Sequence, residues 1–261
     1  MLAPTATEVA RALVSGSPLP EWVAAAERIG NERLKVEKFL KSEGTRVYGF
    51  NTLLGHLDHL DMPHDGQSLL LEGHLLPARA RPMPRLFNAM TAVKLHQICR
   101  GGSGLSADTF SQLLQAHARG GHVDGVPLYP SYSSGDVVPA AWWLKSLKAR
   151  NLLGDLRDGD LIILLNGNFI STSVGLLALA AATDYVAQAC SSLSFLTESF
   201  GECSGPDLSG LRQTIASSFD ARRHSTGTQR PVSIRELRPL IDPLILGLES
   251  LCVGMESRLA R

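Results

Sequence analysis

What the chain has little of narrows its class first. Cysteine is scarce: Cys99, Cys190, Cys203 and Cys252 are the four among 261 residues. They lie far apart without metal-ligand spacing, and read as reduced, mostly buried thiols of a cytoplasmic protein. An excess of one charge is absent too, with 25 Lys and Arg against 25 Asp and Glu. No net field therefore favours nucleic acid or an anionic membrane as a partner. No basic segment precedes an apolar run at the N-terminus, so no secretory leader is expected. Internal repeats are lacking. The eight histidines do not gather with carboxylates at ligand spacing; His56 and His59 flank Asp58, which one polar face explains, and no metal is expected. The most apolar stretch, residues 161–182, is interrupted by Asn166, Asn168, Ser171, Thr172 and Ser173. It reads as a core helix entered from a strand or turn, and not as a membrane span.

What is present is helical. Hydrophobic residues make up 44% of the chain and aromatics only 6%, a balance rich in Ala and Leu. Apolar residues recur at helical spacing over residues 21–41, with charges between them. A loop over 47–56 follows, then a short amphipathic helix over 67–76 carrying His74. Residues 86–99 predict a further helix, stopped by the glycines of 101–104. Ser106 and Asp108 can cap the next, over 109–117. The Gly-rich run ends a helix instead of opening one and no Lys-Ser/Thr follows, so it is no phosphate loop. Residues 140–153 read as helical. Residues 161–165 read as a short apolar strand or extended run, and Asn166-Gly167-Asn168 as a tight turn feeding a long helix to about residue 198. Helices are also expected over 208–219 and, interrupted at Pro239 and Pro243, from 232 onward.

The chain is organised around the run YPSYSSGDVVP at 129–139. Ser133, Ser134, Gly135 and Asp136 form a small flexible turn there, with Pro130 and Pro139 restricting φ on either side. Alone this would be an ordinary surface loop. Five other runs accompany it in order: VYGFNTLLGH at 47–56, QSLLLEGH at 67–74, RGGSGLS at 100–106, LLNGN at 164–168 and QRPVSIR at 229–235. Together they resemble the aromatic amino acid lyase family of histidine, tyrosine and phenylalanine ammonia-lyases and the related aminomutases. The family counterparts are V-Y-G-V-N-T-G-F-G, the side-chain selectivity helix, G-x-S-G-V-R, L-x-N-G-T and Q-D-P-Y-S-L-R, with A-S-G-D-L-A-P at the centre.

The resemblance implies a mainly α, ammonia-lyase-like helical fold: a single lyase-like domain over 1–261, with residues 1–165 as the electrophile-bearing part and 166–261 as a partial helix bundle. It implies a methylidene-imidazolone made by cyclisation and dehydration of Ser133-Ser134-Gly135, with Asp136 supporting. Cyclisation needs a glycine nitrogen free to attack the carbonyl two residues back and a serine able to dehydrate, which Gly135 and Ser134 supply. Ser133 replaces the family's alanine at a position outside the ring. The electrophile would capture the substrate amine and make it a good leaving group. Tyr48 matches the catalytic base, and a phenol with an ordinary pKa near 10 needs help from its surroundings. Arg235 matches the carboxylate anchor, Asn166 an active-site amide, Gln229 a supporting amide, and His74 the selectivity position. Each also has a plainer reading: Arg235 as a surface ion-pair residue, Asn166 as a turn former, His74 as a satisfied interior histidine.

The pattern departs from the family in places. Val232 stands where the family has tyrosine, Leu53-Leu54 replace Gly-Phe, and Ala141-Trp142 occupy the place of Leu-Ala-His. The resemblance covers about half the family's length, so a homo-oligomer or a complementary partner chain is expected to cover apolar faces and complete the site. The expected function is an ammonia-lyase or aminomutase-like elimination on an aromatic amino acid-like substrate. The alternatives are an electrophile-free elimination, dehydration or cyclisation on the same scaffold, or a non-catalytic partner of a separate half-protein.

Overall fold

The computed structural model describes residues 17–42, 44–77, 84–120 and 136–199. The chain divides into two compact units, Met1–Leu176 with Glu256–Arg261, and Leu177–Met255. Among the described residues regular structure is helical, and pairing of extended backbone is limited to two isolated bridges, Tyr48 with Thr52 and Thr52 with Asp61. Ser133, Ser134, Gly135, Gln229 and Arg235, and the helices expected over 208–219 and beyond 232, lie outside the described residues.

The single helix expected over 21–41 is two segments, α1 (Pro20–Ala24) and α2 (Ala26–Leu40). Ala25 joins them in a tightened turn, its N–H shared between the carbonyls of Glu21 and Trp22 at 3.1 and 3.3 Å. Pro20 opens α1, where its missing N–H would have lacked a partner anyway. α3 (Gly66–Gly73) carries the QSLLLEG run, and α4 (Pro84–Cys99) is the core of the first unit. From Leu86 to Ile98 α4 is buried on nearly every side, packed against α1 and α5 (Ala107–Arg119). A helix buried all round needs few polar residues, and those it has must find partners. Thr91 donates to the Phe87 carbonyl at 3.0 Å and accepts from Trp143 Nε1 at 3.1 Å.

Ser106 caps α5 as its spacing predicts, its hydroxyl accepting from the Thr109 N–H. The helix expected over 140–153 begins earlier, as α6 (Val137–Ala149). Pro139 falls in its first turn, where proline is tolerated because the first turn has no carbonyl partners to lose. It closes at Asn151, in the left-handed region at φ 54, a common way to end a helix.

The strand or extended run expected over 161–165 is instead a short helix, α7 (Asp160–Leu165). A run such as LIILL is ambiguous by periodicity, and its surroundings decide. No neighbouring strand among the described residues offers it a ladder, whereas Asp160 anchors a helical start. The Asp160 carboxylate is fully buried and accepts from the Ser106 N–H at 2.9 Å, the Ser106 hydroxyl at 2.6 Å, the Thr109 hydroxyl at 2.7 Å and the Arg157 N–H at 3.1 Å. Arg33 of α2 lies 3.7 Å away, and also donates to the Gly104 and Asp158 carbonyls.

The turn at 166–168 then leads into α8 (Phe169–Ser199). By length and composition the stretch Asp160–Ala182 could cross a membrane. The non-helical turn breaks it, and Leu161, Leu164, Leu165, Phe169, Ile170 and Leu176 are buried within the first unit. In the second unit the described part is the continuation of α8 over 177–199, on which Tyr185 is exposed.

Candidate active site

Tyr48 sits on a loop that its own sequence ties down. The Asn51 side chain accepts from the Val47 N–H and donates to the Thr45 carbonyl, both at 2.7 Å. Backbone bonds from Leu53 to Leu60 and from Met62 to Asn51 close the far side. Gly49, at φ +73, brings the backbone so close to α7 that an added Cβ would stand 2.8 Å from Ile162 Cβ. This is why glycine follows the tyrosine here. The Tyr48 side chain is 48% exposed, and its oxygen accepts from the Gly55 N–H at 2.8 Å, which fixes the ring's direction.

Gln67, the first residue of the α3 motif, bridges this loop to α7. Its amide donates to the Gly49 carbonyl at 3.2 Å and accepts from the Leu161 N–H at 3.1 Å. The Tyr48 loop is therefore mounted on α7, the helix whose C-terminal cap is Asn166.

Asn166 is exposed, at the end of α7, and opens the 166–168 turn. α4 holds that turn from below. Lys94 Nζ donates to the Ile163 carbonyl at 3.0 Å and to the Asn166 carbonyl at 2.6 Å, and lies 4.3 Å from the centre of the Phe169 ring. One helical turn on, Gln97 donates to the Asn168 side chain at 2.8 Å. Between them lies a cleft of about 360 Å³, lined by Lys94, Gln97, Ser103, Ile163, Asn166 and Asn168. Burial pushes the Lys94 ammonium down to about 7, because the charged form loses its hydration there. His96, on the same helix, is pushed down to about 4 by burial and then by the Arg100 charge.

Asp136, the residue that follows Ser133-Ser134-Gly135, stands at the N-terminus of α6. Its carboxylate accepts from the Ser171 N–H at 3.2 Å, in the first turn of α8. Asp136, the first described residue after the tripeptide, is thus tied to the helix that the Asn166 turn feeds. Tyr48, Asn166 and Asp136 are all attached to the segment α7–turn–α8. His74 is placed differently: it caps the C-terminus of α3, and its Nδ1 is bonded to the Leu70 carbonyl at 2.6 Å, on its own helix. Among the described residues no hydrogen bond links it to the other three. Lys94 and Gln97 were not singled out in the sequence. The available signal was a lone lysine in the otherwise apolar heart of the run AMTAVKLHQI at 89–98.

A probable histidine ammonia-lyase of Thermoplasma acidophilum is 31% identical over 118 residues, covering 41% of this chain and 23% of that protein. Among solved structures, the phenylalanine aminomutase of Pantoea agglomerans superposes with a TM-score of 0.69 at 17% identity, covering 99% of this chain and 61% of that one. Histidine ammonia-lyase from Trypanosoma cruzi gives a TM-score of 0.70 at 18% identity, covering 99% and 55%. At these identities the likeness to the solved structures is one of fold. The chain spans just over half the length of these solved relatives and under a quarter of the curated one. The aromatic amino acid lyase profile matches residues 5–147 of the 261, and with the helical fold in agreement this chain belongs to the aromatic amino acid lyase family.

Proposed function

We propose that this chain carries an ammonia-lyase or aminomutase-like site for an aromatic amino acid-like substrate, built around an electrophile formed from Ser133-Ser134-Gly135. One observation supports the reading: Asp136, which follows the tripeptide in sequence, is bonded to Ser171 in the first turn of the helix that the Asn166 turn feeds. The residue types fit the group, since Gly135 brings an unhindered nitrogen and Ser134 a hydroxyl that can leave as water. Once formed, a methylidene-imidazolone accepts the substrate amine and converts it into a leaving group. Tyr48 would take the proton that elimination releases; its ring is oriented by the Gly55 N–H and half open to solvent, within reach of an arriving ligand. The Asn166 amide, exposed above the cleft, would donate to the electrophile or the substrate. Arg235 would grip the substrate carboxylate, Gln229 would support it, and His74 would meet the side chain, assignments that rest on motif position. A second copy or a complementary chain would cover apolar side chains such as Leu34 and Phe39, which are 63% and 59% exposed.

Intact mass of the purified protein tests the proposal. A deficit of two water molecules, mapped to the peptide spanning residues 133–135, is the expected result. Ammonia release from tyrosine, histidine or phenylalanine should then be lost in Tyr48→Phe. An unmodified mass overturns the electrophile and the lyase reading with it.

A further inference from the structure

Among the described helices of the first unit α4 is the most completely buried, yet it puts a lysine and a glutamine under one exposed turn. Lys94 and Gln97 are three residues apart, hence on one face. Lys94 grips the turn's first carbonyl and Gln97 the side chain of its last residue. Between these two grips Gly167, at φ +113, leaves no side chain: a Cβ there would sit 3.5 Å from Gln97 Oε1 and 3.7 Å from Lys94 Nζ. All three ammonium hydrogens have a destination, two on the Ile163 and Asn166 carbonyls and the third towards the Phe169 ring. The carbonyl end of a helix also attracts positive charge.

We propose that Lys94 is a positioning residue that clamps the Asn166 turn against α4, and that the clamp is tight while the amine is protonated and slack once it is neutral. The argument is one of counting and charge. A protonated amine offers three hydrogens and a full charge to two carbonyls and a ring face. The neutral amine offers two hydrogens, and its lone pair must face a carbonyl oxygen or the π cloud, both of which repel it. Charge-assisted bonds are also roughly twice as strong as neutral ones. The orientation of Asn166, at the end of this turn, then depends on a proton that Asn166 does not carry.

Among the described residues no other group near the cleft competes for the role. Its other lining residues, Gln97, Ile98, Ser103, Ile163 and Asn168 among them, do not ionise, and burial is what lowers the amine's proton affinity. On α4 itself, His96 is neutral above about pH 4, and the Cys99 thiol is pushed by burial up to about 12. On α7, the Asp160 carboxylate is engaged by Ser106, Thr109 and Arg157. At the start of α6, the Asp136 carboxylate is bonded to Ser171 of α8. Among the described residues, Lys94 is therefore the group that changes charge against the turn between pH 6 and 9.

The inference rests on reading Asn166 as an active-site amide, but its test needs no turnover. The protein would be prepared with ¹³Cε-lysine and ¹⁵N label and titrated from pH 6 to 9 by NMR. The expected result is a Lys94 Cε midpoint near 7, with the Gly167 amide and the Asn166 side-chain amide shifting at the same midpoint. In Lys94→Met those shifts should be flat with pH and lie near their high-pH positions. Turn resonances that stay flat while Lys94 titrates, or a Lys94 that does not titrate in this range, overturn the clamp. The wild-type titration decides this even if the variant does not fold. If the protein carries an unmodified mass yet shows the coupled titration, the lyase reading fails while the clamp stands. If water loss is found without the coupled titration, the clamp fails alone.

Discussion

Replacing Asp160 should be strongly destabilising, and its cost can be worked from the partners. The carboxylate is fully buried and accepts four hydrogen bonds, from Ser106 N, Ser106 Oγ, Thr109 Oγ1 and Arg157 N. Arg33, itself nearly buried, stands 3.7 Å from it. In Asp160→Asn one oxygen becomes an amide nitrogen. If the remaining oxygen keeps the Ser106 N–H, the new NH₂ faces the Arg157 N–H, a donor against a donor. The two hydroxyls can rotate to accept, so they lose less. A buried donor left without a partner costs about 1–3 kcal/mol. Removing one member of a buried ion pair costs about 3–5 kcal/mol when the other is stranded. Arg33 is not stranded, because Glu37 and the Gly104 and Asp158 carbonyls still hold it. The expected loss is therefore at the lower end, about 3 kcal/mol for Asp160→Asn, and about 4 kcal/mol for Asp160→Ala, which also leaves a cavity. Urea unfolding followed by circular dichroism reads it as a fall in midpoint at unchanged slope. A loss below about 1 kcal/mol for both variants would refute the view that this carboxylate organises the start of α7.

Other outcomes follow from the same structure. Burial lowers the Lys94 pKa from its ordinary 10.5 to about 7, so the unfolded chain binds a proton that the folded one lacks between those values. Stability should rise with pH across that window, by at most about 1.4 kcal/mol per unit from this group; Lys94→Met should remove that rise in urea midpoints measured from pH 7 to 10. Gly49→Ala should cost about 2–4 kcal/mol, from a left-handed φ of +73 and a Cβ placed 2.8 Å from Ile162 Cβ. Because Tyr48 is the preceding residue, the same variant should also lose activity, and near-normal stability would contradict the close packing of loop on α7. The Cys99 thiol, raised by burial to about 12 against the opposing pull of Arg28, should resist iodoacetamide at pH 8 in the native protein and react once unfolded; mass mapping of the alkylated peptide checks it.

The sequence alone was enough for whatever depends on near neighbours. The helical periodicity of 86–99, the Ser106 cap, the glycine stop at 101–104 and the turn at 166–168 are local matters of spacing, capping and φ, and the structure places each there. Family membership was legible as well, because it rests on the order of short motifs and not on how they pack. Tertiary structure decided the rest. The LIILL run became a helix because residues 51 and 54 positions away, Thr109 and Ser106, hold Asp160 at its start. The helix over 21–41 tightened at Ala25, and α6 took in Pro139 at its first turn, adjustments that spacing does not prescribe. His74 was picked out by its motif position, and only the fold shows its ring turned back on the Leu70 carbonyl of its own helix, which also accepts the His74 N–H. Lys94 could not be read from its neighbours in the chain. Its partners are 69 and 72 residues away, and only the fold, by burying the amine among carbonyls with no counter-charge among the described residues, sets its proton affinity.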